Sequence, residues 1–433
     1  MLGKNFVDSG RKRLAAQMFG LLCSLGGLGG LCPAALANTT IAAGMAAATK
    51  AEPSPATVYS VTRGDSLESQ MPDTGAAPAT VRSGQSPPPR LRMALLLPLR
   101  SSTLKAAAEM VRDGFRAAHL RDGATIDVDV VDTDDSVPGI VSAYRAAAAS
   151  HDVIVGPLSR SAVGALAGSG VVDRPTIALA QPEASAGADG SSILPPHMLA
   201  IGLSIEDEAR QAAGWAAREQ GSGRALIVST GVAWQKRAAR AFIGRWQSGG
   251  ARVDVMELSV SGNALNGAAL TQLKKRLQTD PPAFVFVALD TAQTRQLRAA
   301  VDPGLTLYGT SQLNSLNLAE IVGAEKHPEL DGVRLLDLPW QLQADHPAVM
   351  AYPRAAVTGA VRRSADLERL YALGIDAFRV AAEIGAGRER FTLDGVTGRL
   401  TVQFDGIAPA TFERVEQQAI YTDGMVLPAT TGP

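Results

Sequence analysis

The sequence predicts an α/β fold of two doubly wound lobes joined by a hinge, with a cleft between them. Three observations carry that expectation. From residue 91 onward, short and nearly continuous apolar runs alternate with Ala-rich helical windows, which is how a parallel sheet covered on both faces reads. The alternation restarts after a helix beginning near Glu206, and two successive βα series imply two lobes. The first runs also break at turn residues where a parallel sheet opens a crevice at the carboxyl ends of its strands.

In chain order, the first series reads RMALLLPL at 92–99 and a helix over 102–121, then IDVDVVDT at 126–133 and a helix over 138–150. DVIVGPL at 152–158 follows, then a helix over 161–169 and PTIALA at 175–180. The segment LSIEDEARQAA at 203–213 opens the next helix, and its acids in the first turn suit the helix dipole without needing a functional role. The second series is ALIVST at 225–230, a helix over 233–247, ARVDVMEL at 251–258 and a helix over 268–277. AFVFVAL at 283–289, a helix over 292–300 and LTLYGT at 305–310 complete it.

The final third adds no full series. It holds GVRLLDLPW at 332–340, a helix over 365–384 and a hairpin-like FTLDGVTGRLTVQF at 391–404, where Gly395 and Gly398 can supply φ > 0. These pieces are expected to return and complete the two sheets. The first lobe then takes about 91–204 plus about 332–395, and the second about 205–331 plus the C-terminal segment, within a domain spanning 91–430.

Ahead of the domain, Lys4, Arg11, Lys12 and Arg13 precede an apolar stretch at 14–36, and Ala35-Leu36-Ala37 offers a cleavage site. Residues 1–37 therefore read as a signal peptide and the mature protein as exported. Gly26, Gly27, Gly29, Gly30 and Pro33 argue against a retained transmembrane anchor. Both cysteines, Cys23 and Cys32, fall in this leader, so no disulfide helps the fold. Lipidation at Cys32 competes with simple cleavage, but Leu31 stands where a small residue is wanted. Residues 38–90 are rich in Ala, Ser, Thr and Pro and read as a disordered linker. Within it, YSVTRGDSLESQM at 59–71 resembles the opening of a LysM peptidoglycan-binding repeat, but the rest of such a repeat is missing.

A net charge of −1 gives no basic stripe for nucleic acid. The five histidines (His119, His151, His197, His327 and His346) form no H-x-x-x-H or H-x-H pair. No nucleophile elbow or Walker A motif occurs, and GLGG at 27–30 lies in the leader. No catalytic residue, metal or cofactor is therefore expected.

Ligand-cleft candidates are the residues just after each strand. In the first lobe these are Ser102, Ser159, Ser161, Gln181 and Glu183; in the second, Trp234, Asp290 and Gln312. Ser161 and Ser185 can offer hydroxyls, and the amides of the helix after Ser159 can hold a carboxylate. The competing reading is that such residues are helix caps and turns. Trp234 and Trp340 are candidates for a cleft wall or for core.

The alternation is similar to that of type I periplasmic binding proteins. LLLPL at 95–99, VRDGFRAA at 111–118, VGPLSRSAVGAL at 155–166 and ALAQPE at 178–183 narrow the resemblance. So do LSIEDEARQAA at 203–213, RLYALGIDAFRVA at 369–381 and GVTGRLTVQFDG at 395–406. Together they resemble the C-terminal domain of the LpoA (YraM-like) penicillin-binding protein activators over about 91–427. That resemblance implies a non-enzymatic periplasmic regulator that docks on a bifunctional penicillin-binding protein and promotes peptidoglycan synthesis. Two departures are noted: a linker stands where the family has a helical-repeat domain, and no lipobox is evident, which leaves an outer-membrane lipid anchor open.

The alternative is a periplasmic receptor that closes on an amino acid or similar small molecule in the cleft. Ser159, Ser161, Gln181, Trp234 and Asp290 agree in part with the way such receptors hold a ligand's charged groups. Gln181-Pro182 replaces the small-residue and Thr pattern expected there, which favours the regulator. A hydrolase has no supporting constellation.

Overall fold

The computed structural model of the chain describes residues 90–134, 136–183, 194–315, 325–354 and 364–429. The expected leader with both cysteines, the expected linker up to residue 89 with its LysM-like stretch, and Ser185 lie outside the described residues.

The first sheet is built from β1 (Leu91–Leu97), β2 (Ile126–Asp132), β3 (Val153–Val155), β4 (Thr176–Ala178) and β5 (Met198–Ala200). The helices between them are α1 (Lys105–Asp122), α2 (Val137–Ala148) and α3 (Arg160–Gly168). The strands pair in parallel in the order β2-β1-β3-β4-β5. Alternate side chains of β1 face opposite cores. Met93, Leu95 and Leu97 pack with α1 and the later α10, while Ala94 and Leu96 pack with α2 and α3. That two-sided burial is why β1 reads as an unbroken apolar run.

The second lobe runs α4 (Ile205–Gln220), β6 (Ala225–Thr230), α5 (Ala233–Gln247), β7 (Val253–Leu258) and a short hairpin of β8 (Val260–Ser261) and β9 (Ala264–Leu265). It continues with α6 (Gly267–Thr279), β10 (Phe284–Val287), α7 (Thr291–Ala300), β11 (Leu307–Tyr308) and β12 (Arg334–Asp337). Its parallel strands lie in the order β7-β6-β10-β11-β12. Both lobes therefore repeat one topology, with a switch point beside the first strand of each series, where open α/β sheets form their crevice.

After β12 come α8 (Pro339–Leu342), α9 (Pro347–Met350) and α10 (Ala365–Gly385). Helix α10 is buried over most of its surface, with the charged Glu368, Arg369 and Asp376 among its buried residues, and lies against α1 in the first-lobe core. The chain then forms β13 (Arg390–Gly395), β14 (Gly398–Gln403), β15 (Thr411–Val415), β16 (Gln417–Thr422) and β17 (Met425–Pro428).

Two expectations are corrected here. Strand β12, expected in the first lobe from about residue 332, pairs with β11 and β16 in the second sheet. The return to the first lobe therefore starts after Asp337 and lasts to about Val415. The hairpin at 391–404 also does not extend the first sheet but joins β15 in a separate antiparallel sheet of three. Its strands are buried on one face only, β14 alternating buried and exposed positions, so it packs as a one-sided layer on the first-lobe core. At its turn Gly398 adopts φ 131°. Gly395 does not have a positive φ; a Cβ there would sit 2.6 Å from an Asp376 carboxylate oxygen.

The backbone passes between the lobes three times: after β5, after β12 and between β15 and β16. Among the described residues no helix is long and apolar enough to cross a membrane.

Candidate functional site

At the first-lobe switch point, the β1–α1 turn is held by Ser101, whose hydroxyl accepts the Thr103 and Leu104 amides at 3.2 and 2.9 Å. Ser102 beside it stands exposed. Ser159 caps α3, accepting the Ala162 amide at 3.2 Å, and its hydroxyl is 3.4 Å from that of exposed Ser161. Gln181 is half-buried and donates at 3.4 Å to the Ala200 carbonyl; Glu183 is exposed.

In the second lobe, Trp234 lies half-buried in the first turn of α5. Asp290 closes a capping box with Gln293, accepting its amide at 2.8 Å. Burial raises the Asp290 carboxyl pKa above its ordinary value, against the lowering effect of that amide. Gln312 donates at 3.2 Å to Asp366 at the start of α10. Trp340 is fully buried core: its indole donates to Glu368 at 3.2 Å and Arg354 lies over its ring.

The eight candidates thus line the same ends of the two sheets, but they are differently occupied. Ser159 and Asp290 already cap helices, and Gln312 reaches across to α10. Deeper in, Gln235 accepts from the Thr230 hydroxyl at 2.6 Å and donates to Gln293 at 2.8 Å. This end of the second lobe is closed by its own buried amides.

Sequence reasoning missed a set of charges at the lobe junction. Glu206, in the first turn of α4, lies 3.5 Å from Arg160 of the first lobe and 2.8 Å from Arg237 of α5. Arg369 of α10 is buried and makes a two-pronged pair with buried Asp337, Nε–Oδ1 at 2.9 Å and Nη2–Oδ2 at 2.8 Å. It also donates to Asp366 and to the Ser311 and Asn314 carbonyls at 2.8–2.9 Å. Burial, the largest single influence, would lower its pKa, but the Asp337 carboxylate together with Asp366 and Glu208 pushes it up. Arg414, at the third crossing, donates to the Gly202 and Ile201 carbonyls at the first. Glu416 beside it is buried, which raises its pKa well above the carboxylate range, and nearby Glu208 adds to this.

A signal for some of these was present. Glu208 and Arg369 sit on the buried faces of amphipathic or apolar helices, where an unpaired charge is too costly to keep. What each would meet lies far away in the sequence.

Glu208 is buried and accepts the Ser311 amide at 2.8 Å. Its pKa rises from 4.5 to about 7, chiefly through burial, with the Ser311 bonds and Arg369 opposing. A folded-state pKa above the unfolded value means a stability contribution that is full below pH 4.5 and lost as pH rises through about 7. That loss amounts to at most about 3 kcal/mol. Glu208→Gln keeps an acceptor for Ser311 and removes the titration. Its stability relative to the parent, measured by denaturant melts, is expected to improve from pH 5 to about pH 7 and then to level off. A gap that does not change with pH would show that Glu208 is not held protonated.

Comparison with known proteins places these observations among relatives. A family model described as "LppC putative lipoprotein" matches residues 85–407. A penicillin-binding protein activator LpoA from Enterobacter sp. strain 638 is 26% identical over 318 residues, covering 64% of this chain and 41% of its own length. The chain therefore spans less than half of that relative. A solved chain from Chromobacterium violaceum, described as a "putative branched-chain amino acid ABC transporter", is 35% identical, with a TM-score of 0.59, covering 76% of this chain and 100% of its own. The C-domain of LpoA (YraM) from Haemophilus influenzae, described as a regulator of PBP1A, shares the fold with a TM-score of 0.61 at 21% identity, covering 78% of this chain and all of that one.

Proposed function

Since the chain belongs to the LppC lipoprotein family, we propose that it is a non-enzymatic regulator in the periplasm that acts on a bifunctional penicillin-binding protein through protein contact. In this role it promotes peptidoglycan synthesis. The observation that carries the reading is the family match across both lobes, together with relatives named as penicillin-binding protein activators. The cleft supports it too: Ser159, Asp290 and Gln312 serve caps and an interlobe bond, so fewer polar groups are free for a solute. Ser102, Ser161, Gln181, Glu183 and Trp234 remain the candidates for any small molecule held there.

The solute-receptor alternative draws on the 35% identity to the Chromobacterium chain and its description. One pair of measurements separates the two readings. A detergent-solubilised bifunctional penicillin-binding protein from the same organism is expected to bind the chain and to cross-link peptidoglycan faster in its presence. Under the receptor reading, a panel of amino acids would instead stabilise the chain by about 2.7 kcal/mol at a hundredfold excess over Kd, seen as a rise in Tm. No synthase binding together with a clear amino-acid shift would overturn the regulator.

A further inference from the structure

The outward face of α1 carries an apolar patch at the edge of the first-lobe core, where Ala117 and Ala351 are only partly buried against it. Asp113, Arg116, Ala117, Leu120 and Arg121 recur at helical spacing along one stripe, and with Ala351 and Pro353 they line an open groove of about 570 Å³. Leu120 is 86% exposed and Met350, next to the groove wall, is 69% exposed. Two large apolar side chains so exposed on adjoining elements are more than the scattered single hydrophobe of an ordinary surface.

The charges around the groove are unbalanced. Asp113 is occupied by its neighbour Arg112 at 3.0 Å. Asp122 accepts the Tyr352 hydroxyl at 2.9 Å. Arg121 lies over the Tyr352 ring and is 3.7 Å from Asp122, with half of its side chain exposed. Arg116 is exposed and makes no ion pair with any described residue. Each acid at the rim is thus matched, and Arg116 is left as an exposed cation without an ion pair to any described residue, so the rim carries an excess of positive charge around an apolar floor. Arg is also the residue best suited to a two-pronged grip on a carboxylate.

We propose that this groove docks an acidic amphipathic segment of a partner protein. An apolar side chain of that segment seats against Ala117, Leu120 and Ala351, and its flanking carboxylates meet Arg116 and Arg121. The chemistry of the segment follows from the groove alone; that the segment belongs to the synthase rests on the proposed function.

The test uses the whole chain and two binding partners. The first is a synthetic amphipathic helix with leucine on one face and glutamate on the other, compared with its lysine-faced counterpart. The glutamate peptide is expected to bind saturably, more weakly as salt rises, and the lysine peptide not at all. Leu120→Asp and the pair Arg116→Glu, Arg121→Glu, all at exposed positions, are expected to weaken it by about tenfold or more. Ile407→Ser, at another exposed apolar position (84% exposed), is expected to leave it unchanged. No saturable binding, or equal binding by every variant, overturns the groove.

The second partner is the solubilised synthase. If it binds the parent chain but the groove variants equally well, the docking inference fails while the regulator reading stands. If the synthase does not bind and the glutamate peptide still binds at the groove, the regulator reading fails and the groove stands.

Discussion

Replacing Arg369 by methionine is expected to destabilise the protein by about 3–5 kcal/mol, because it leaves a buried carboxylate without its partner. Asp337 is fully buried and receives two of Arg369's hydrogen bonds, while the Ser311 and Asn314 carbonyls receive two more. A shift in Tm of about 5–10 °C is expected on that basis. Arg369→Lys should recover only part of it, since an ammonium cannot span both Asp337 oxygens and the carbonyls at once. Adding Asp337→Leu to Arg369→Met should restore much of the stability, because a buried pair exchanged for apolar groups is often near neutral. A single methionine variant that melts within about 1 °C of the parent would mean that the pair does not hold the junction. Arg369 lies on α10, which packs in the first lobe, whereas Asp337 and the Ser311 and Asn314 carbonyls lie at β12 and after β11. Loss of the guanidinium therefore loosens the junction and neither lobe's own core.

Gly374→Ala and Gly114→Ala are expected to destabilise the first lobe by about 1–3 kcal/mol each, the usual cost of forcing atoms into a filled core. A Cβ on Gly374 would run into the Val111 carbonyl oxygen and come within 2.8 Å of the Phe115 nitrogen. A Cβ on Gly114 would run into the Tyr371 carbonyl oxygen and come within 2.8 Å of its carbon. These neighbours are backbone and cannot rotate away, so α1 and α10 must separate. Helix propensity pulls the other way, since alanine is favoured over glycine in a helix interior by about 0.5–1 kcal/mol. The sign of the measured change thus decides the matter, and stabilisation would mean that the helices do not cross so closely. The double variant should cost less than the two single effects added together, because the first substitution already opens the shared crossing. Denaturant melts of all three variants provide the measurement.

Much of the architecture was legible from the alternation of apolar runs and Ala-rich windows. The α5 helix, the long α10 and the β13–β14 hairpin fall where the periodicity and the turn glycines put them. Strand order was not legible, since pairing in a parallel sheet joins residues separated by whole helices. The placement of β12 shows this: RLLD is equally apolar whichever lobe's sheet receives it. Ser159 and Asp290 sat at readable positions after strands, and their capping role followed from residue type. The ties of Gln312 to Asp366 and of Glu206 to both Arg160 and Arg237 carried no local signature. In LSIEDEAR the acids already satisfied the helix dipole, which hid their second use.

What the sequence determined by itself, then, was the set of elements, their order and the ends of the strands where a cleft forms, because hydrophobic periodicity and turn chemistry act over a few residues. Only the tertiary structure decided how that cleft is braced and which exposed face carries unspent charge. Ion pairs, glycine crossings and surface patches arise from groups that become neighbours after the chain has folded, and their energies depend on the burial that folding creates.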